Sequence, residues 1–306
     1  MHIKREQFIW NFYKNSKTII PSCYEYVRFN NQKILNSNAS LATTLPNVIY
    51  VSLFPTFLRS KLVNEEHYKS KSITHFGFSG VGITLNGSQT VKSYLNSCIS
   101  RHLRVKLKRA VKKLVNDPNI TYEFNFGDIS DEKCEFLLNT LHTMTSKRFE
   151  NKKEAHIFMS EWESNTKDLA ALIRQNKSSL LVIYDGKKPI SISVKRHISN
   201  TILFSETHAY DMDYSRYSLS DLDKYYTLNW CIDNHYPFID LGIGLSYHKK
   251  KWANLIYDIQ YKIYYKNNAI ARAIALFEIA KIKLKNTLKQ QIEYIKNNPL
   301  GEIKKI

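Results

Sequence analysis

Only 4 of the 306 residues are cysteine, and none of them stands in a CxxC pair or beside histidine at zinc spacing. Cys23, Cys98, Cys134 and Cys231 are therefore expected as free thiols in a reducing compartment, which sets aside a disulfide framework and a structural metal. No apolar run approaches the roughly 18 to 20 residues that span a bilayer. The opening MHIKREQFIWNFYKNSK lacks the unbroken apolar stretch and small-residue cleavage site of a secretion signal. A cytoplasmic location is the expectation, with peripheral attachment at the inner face of the membrane left open. Repeats, low-complexity tracts and Pro-rich linkers are missing as well. Acidic residues are in short supply: 27 Asp and Glu face 45 Lys and Arg, a formal charge of +18. That excess admits three anionic partners, namely nucleic acid, membrane headgroups or a phosphate-bearing small molecule. Heavy use of Lys, Asn and Ile is also what AT-rich coding produces, so charge alone does not rank them.

What is present is a folding composition, 43% hydrophobic and 13% aromatic, which excludes a disordered tail and a small stapled domain. The first 45 residues show no clean periodicity. NVIYVSLFPTFL from Asn47 reads as a strand stopped by Pro55, and ITHFGFSGVGITL from Ile73 as a second strand. The glycines Gly77, Gly80 and Gly82 mark a bend or a close backbone approach. They do not make a dinucleotide loop, because more strand follows where a helix should begin. From Ser88 the period changes, and Tyr94, Leu95, Ile99, Leu103, Leu107, Val111 and Leu114 form one helical stripe. Between Arg101 and Lys113 this stretch holds Arg101, Arg104, Lys106, Lys108, Arg109, Lys112 and Lys113 without an acid, a self-repelling run that needs anions or water.

Downstream, ITYEFNFG reads as a strand and Ser130 as the cap of a long helix, followed by a helical stretch over about 156–175. SLLVIYDG, KKPISISVKRH and TILFSETHAY form an antiparallel meander turning at Asp185-Gly186 and Ser199-Asn200. A helix over about 218–234, the strands YPFIDLG and IYDIQYKIYYK, and a closing helix over about 269–296 complete the chain. The apolar face of that last helix is read as Ile270, Ala273, Phe277, Ala280, Leu284, Leu288 and Ile292.

Three segments in this order carry a family resemblance: YLNSCISRHLRVKLKRAVKKL, YDMDYSRYSLSDLDKYYTLNWCIDN, and FIDLGIGLSYHKKKW with Asp240, Gly244, Lys249 and Trp252. Over about Gln89 to Lys266 the chain resembles the GNAT acyltransferases, in the CelD-like branch related to FemAB peptidyltransferases. The resemblance implies an α+β fold with a central, mostly antiparallel sheet flanked by helices. It divides the chain into an N-terminal, partly β lobe (1–88, for which a degenerate GNAT-like half is one reading), a GNAT-like domain (89–268) and a terminal helix packed on that domain (269–306). It departs from the family at Leu219-Ser220, where Pro-Gly is usual, and at His248, where Tyr is common.

The implied activity is transfer of an acetyl or other acyl group from CoA, as co-substrate and without metal, to an amine or hydroxyl of a small-molecule, sugar or lipid acceptor, as in polysaccharide or cell-envelope synthesis. Tyr214 to Leu222 runs from strand to helix. It offers Ser215, Arg216, Ser218 and Ser220, with Lys249, as donors for the CoA phosphates, the alternative for the serines being a simple helix cap. Glu206 and His208, two residues apart and so expected on one strand face, are candidate bases; the alternative is a solvent-facing pair. Tyr247 and His248 are candidate acids for the leaving thiolate. Asp240 is read as a turn residue or an anchor for the acceptor amine, Arg104 as a substrate contact, and Trp252 as core. No cysteine sits in a nucleophile setting, so direct attack in a ternary complex is expected. Two other readings stay open: aminoacyl transfer from charged tRNA along the Arg101–Lys113 helix, and a non-catalytic protein on nucleic acid or anionic membrane.

Overall fold

The computed structural model describes residues 3–14, 20–36, 46–85, 90–150 and 157–297. In chain order the elements are β1 (Ile3–Gln7), α1 (Phe8–Lys14), β2 (Tyr24–Phe29), β3 (Gln32–Leu35), β4 (Val48–Pro55), β5 (Arg59–Leu62) and β6 (Tyr68–Thr84). Then come α2 (Val91–Cys98), α3 (Arg101–Val115), β7 (Ile120–Asn125), α4 (Asp131–Phe149), α5 (Ile157–Ser160), α6 (Trp162–Thr166), α7 (Leu169–Arg174), β8 (Ser178–Asp185), β9 (Lys188–Ser199) and β10 (Ile202–Tyr210). A 3-10 turn (Met212–Tyr217) leads to α8 (Leu219–Asp233), β11 (Phe238–Ile243), α9 (Tyr247–Lys250), β12 (Leu255–Lys266) and α10 (Ala269–Asn297).

The chain forms two compact units, one of Met1–Phe12, Ile19–Gly80 and Tyr257–Ile306, the other of Tyr13–Thr18 and Val81–Ile256. This differs from the partition expected from the sequence. The terminal helix and most of β12 join the N-terminal lobe, because Val48 of β4 and Tyr261 and Ile263 of β12 pack with Ala271, Ala275 and Ile282 of α10. The lobe boundary expected at residue 88 lies outside the described residues; the division falls at Gly80.

In the first unit the strand order is β1-β4-β12-β6, with β1 parallel and β12 antiparallel to β4, and a smaller sheet β3-β2-β5. Its aperiodic start is built from short elements holding large rings: Phe8, Phe12, Tyr24 and Phe54 are all fully buried, and the Phe8 ring touches each of the other three. Gly80 lies against the ring of Tyr257, where any Cβ would collide, so the close-approach reading of that glycine holds.

In the second unit the strand order is β6-β11-β10-β9-β8-β7, β6 entering from Val81 onward. The meander β8-β9-β10 and the strand β7 are antiparallel, and β10 pairs with β11 in parallel. One face is covered by α2, α3 and α8, the other by α4 and α7. The stripe read as one helix is two, because Ser100 caps a fresh start: its Oγ accepts from Leu103 N at 3.4 Å. Leu103, Leu107 and Leu114 are nonetheless buried in one core with Tyr94 and Ile99, and Trp252 is fully buried beside them, as expected. The helical stretch after residue 156 is broken into α5, α6 and α7.

Candidate active site

Burying the leucine stripe of α3 turns its cations outward. Arg101, Lys106, Arg109 and Lys113 line a groove of about 810 Å³ with His102, Val105 and Ala110, completed by Arg216 and Ser218. Ser218 begins α8 in the left-handed conformation, φ 58°, and its side chain makes no cap bond. Asp221 and Leu222 donate their N–H groups to Ser218 O, which leaves those of Leu219 and Ser220 as the terminal donors at the positive end of a 15-residue helix. Leu219, standing where Pro is usual, is buried in the core. Lys113 Nζ lies 4.2 Å from the ring centroid of Tyr217 and the Arg216 guanidinium 5.3 Å from it, so one buried ring seats both cations.

Asp221 fixes the base of this arrangement. It takes a hydrogen bond from Trp252 Nε1 at 3.0 Å and ion pairs with Lys106 at 3.2 Å and with Lys251. Burial alone would raise its pKa, but the hydrogen bonds from Lys251 and Trp252 outweigh it and hold the carboxyl below the usual range.

A second cluster forms where β10 and β11 part. Their parallel register runs from Ile202↔Phe238 to Phe204↔Asp240 and stops there. Asp240 is fully buried; Oδ1 accepts from Gly242 N at 2.8 Å and Oδ2 from the Tyr13 phenol. The Tyr13 ring stacks on Phe204 with centroids 4.2 Å apart and planes 8° from parallel. Lys249 Nζ donates to Ile243 O at 2.8 Å, and burial lowers its pKa against the pull of Asp240. Lys249 thus belongs to the Asp240 cluster, not to the Ser215–Ser220 loop with which the sequence grouped it. Tyr13 was missed, since nothing local in an aperiodic aromatic stretch connects it to a residue more than 200 positions away.

A third group lies beneath α8. Lys195 of β9 is fully buried and donates to both oxygens of Asp223, at 3.1 and 3.2 Å, and to Ser205 Oγ at 3.1 Å. Asp223 also accepts from Ser193 Oγ at 2.5 Å and Lys224 Nζ at 2.9 Å. Despite its burial, Lys195 and Lys224 keep it ionised, well below the ordinary carboxylate range. Burial draws Lys195 down to about 8. The alternation of apolar and polar residues along β9 gave no sign of this network, because Ser193 and Lys195 read as solvent-side positions, whereas the strand is buried almost throughout.

The expected pairing of Glu206 with His208 is corrected. A register shift between Ser205 and Thr207 breaks the two-residue alternation. Glu206 accepts from Arg196 Nε at 2.6 Å, and that guanidinium also donates to Ser178 Oγ and to Asn165 O of α6. His208 instead bonds Ser191 Oγ at 2.9 Å on the side of Asp223. Arg104, read from the sequence as a substrate contact, is placed with its Nη1 donating to Leu95 O, Asn96 O and Ile99 O, closing the C-terminus of α2. Tyr247 and His248 stand exposed on α9, and Ser215 and Arg216 are exposed on the 3-10 turn. Among the described residues no group of three or more His, Cys, Asp or Glu is placed to hold a metal.

Two histidines give the unit a pH dependence. Burial pushes His197 and His208 down to about 3 from an ordinary 6.5. The unfolded chain then takes up protons that the folded chain refuses between those values, so stability is fully present above pH 6.5 and falls as pH drops through that window. The expected loss is roughly 3 kcal/mol at pH 5 relative to pH 7, allowing for the partial exposure of His208. Urea midpoints at the two pH values check it, and a His197→Gln, His208→Gln double variant should show a flatter profile over the same range.

Residues 101–250 match the family model of the acetyltransferase (GNAT) domain. That stretch is just under half of the chain, and the match is in line with the resemblance drawn from its motifs; the architecture itself is mixed α+β. Among solved structures the chain is similar to FemX, at 11% identity over 75% of this chain and 74% of that one, TM-score 0.48. It is similar to the C-terminal domain of a putative lysylphosphatidylglycerol synthetase from Agrobacterium fabrum, at 13% identity over 76% and 71%, TM-score 0.46. It is also similar to a GCN5-related N-acetyltransferase from Kribbella flavida, at 9% identity over 72% and 68%, TM-score 0.32. Comparison with curated proteins finds no match.

Proposed function

We propose that this protein moves an acyl group from a CoA thioester to an amine or hydroxyl acceptor by direct attack. The observation that carries the reading is the joining of four cations of α3 and Arg216 to the N-terminus of α8 around one groove. That donor set suits the phosphates of CoA: guanidinium groups and backbone N–H groups both complement phosphate oxygens, and a helix N-terminus adds a favourable dipole. Arg101, Arg109, Lys113 and Arg216 hold the phosphates in this reading. The thioester end then reaches the point where β10 and β11 separate, beside Tyr13, Phe204, Asp240 and Lys249.

Attack by the acceptor on the thioester carbonyl breaks the C–S bond, and the proton lost by the acceptor is returned to the departing sulfur. Both Asp240 oxygens are already engaged, which fits the residue to positioning the Tyr13 phenol and the Gly242 turn. The Tyr13 phenol and the Lys249 ammonium are the proton-bearing groups of the Asp240 cluster. Calorimetric titration with acetyl-CoA tests the reading: saturable one-site binding that weakens with added salt is expected. Absence of binding to acetyl-CoA and to longer acyl-CoAs would remove it. An Asp240→Asn variant is expected to retain CoA affinity and lose about tenfold or more in turnover, since orientation of a catalytic group is worth that much.

A further inference from the structure

We infer that α10 docks the first unit on an anionic lipid surface. This helix spans 29 residues, about 43 Å at 1.5 Å per residue. The apolar face expected to be its core face is turned outward. Ile270, Phe277, Leu284, Leu288 and Ile295 are 50–64% exposed, whereas Ala271, Ala275, Glu278 and Ile282 are buried. Small alanines let the helix lie close on β4 and β12, and Asn286 fastens its far half by accepting from Phe76 N and donating to Thr74 O of β6. At 100° per residue the five exposed side chains fall within about 40° of one another, a continuous seam along the helix.

Charge decides what the seam meets. Lys281, Lys283 and Lys285 are exposed around its midpoint. The helix has two acids: Glu278 is buried and paired with Arg5 at 2.8 Å, and Glu293 lies near the C-terminal end. A second copy packed seam to seam in antiparallel fashion would set Lys281 and Lys285, which flank the same side of the seam, against each other, with only the largely buried Glu278, 3.7 Å from Lys281, as a nearby carboxylate. A bilayer with anionic headgroups satisfies both features, taking the apolar row into its acyl boundary and the ammonium groups at its headgroups. No helix among the described residues is long and apolar enough to cross a membrane, so the contact is a helix lying in the interface.

Flotation of the full chain with vesicles tests this. The protein is expected to float with phosphatidylcholine vesicles containing phosphatidylglycerol, to do so less as salt rises, and to stay at the bottom with phosphatidylcholine alone. A Phe277→Asp, Leu284→Asp double variant, whose sites are exposed, should keep the far-ultraviolet spectrum of the parent and lose about tenfold or more in partitioning, given the area each side chain buries. Replacing Lys281, Lys283 and Lys285 with Gln should abolish the preference for phosphatidylglycerol. Failure to float, or undiminished flotation of the double variant, overturns the proposal, the latter by assigning the contact to another basic surface. So does a concentration-dependent dimer in light scattering that Phe277→Asp abolishes, since it would give the seam to a second copy.

Discussion

An Asp223→Ala variant is expected to lose about 3 kcal/mol or more of stability, the cost of removing one partner from a buried ion pair. Three donors converge on this carboxylate from β9 and α8, and one of them, Lys195, is fully buried, so removing the carboxylate leaves its charge without a counter-ion. Lys195→Met should cost less, because Asp223 retains Lys224 and Ser193 while the methionine fills the space of the lysine stem. That asymmetry separates an electrostatic cause from simple loss of packing. A pH signature supports it. Lys195 lies at about 8 in the folded protein and near 10.5 unfolded, so its contribution to stability rises with pH across that interval. Without Asp223 the folded value drops further, and the rise should begin at lower pH. Combining Lys195→Met with Asp223→Leu should recover most of the loss. Chemical denaturation of the four proteins between pH 6 and 10 measures all of this, and equal losses in the two single variants would show that the pair is not what holds α8 on the sheet.

How much of this was legible beforehand varies with the range of the interactions. The meander was, because turns at Asp185-Gly186 and Ser199-Asn200 and the alternation between them are local. So was the helix start at Ser130, whose Oγ accepts from Lys133 N. The cationic run of α3 showed its charge but not its direction; only burial of Leu103 and Leu107 tells which residues face the groove, and Arg104 turns back to α2. The Glu206–His208 pairing failed on one inserted residue, a bulge that no alternation pattern announces. The terminal helix failed differently. It carries two apolar stripes, and periodicity finds the larger side chains, while close packing selected the alanines. Tyr13 and Asp240 could not be joined by any rule of spacing, since the contact is a product of the tertiary fold.

The charge of the groove leads to the largest expected effect on binding. Replacing Arg109 and Arg216 together by Ala should weaken CoA about a thousandfold, each charge-assisted hydrogen bond being worth roughly 1.5 to 3 kcal/mol. Both side chains are exposed and neither is needed for the core, so the variant should melt as the parent does. Lys106 is the wrong choice for this test because its partner Asp221 also holds Trp252 and Lys251. Two comparisons sharpen the result. A CoA analogue without its 3′-phosphate should lose less on the double substitution than CoA does if one of the two arginines serves that phosphate. The salt dependence of binding should flatten in proportion to the charges removed. If the double variant binds acetyl-CoA as the parent does but releases copurified RNA, then the cations of α3 track a polyanion, and the donor of the transferred group is carried by a nucleic acid instead of CoA.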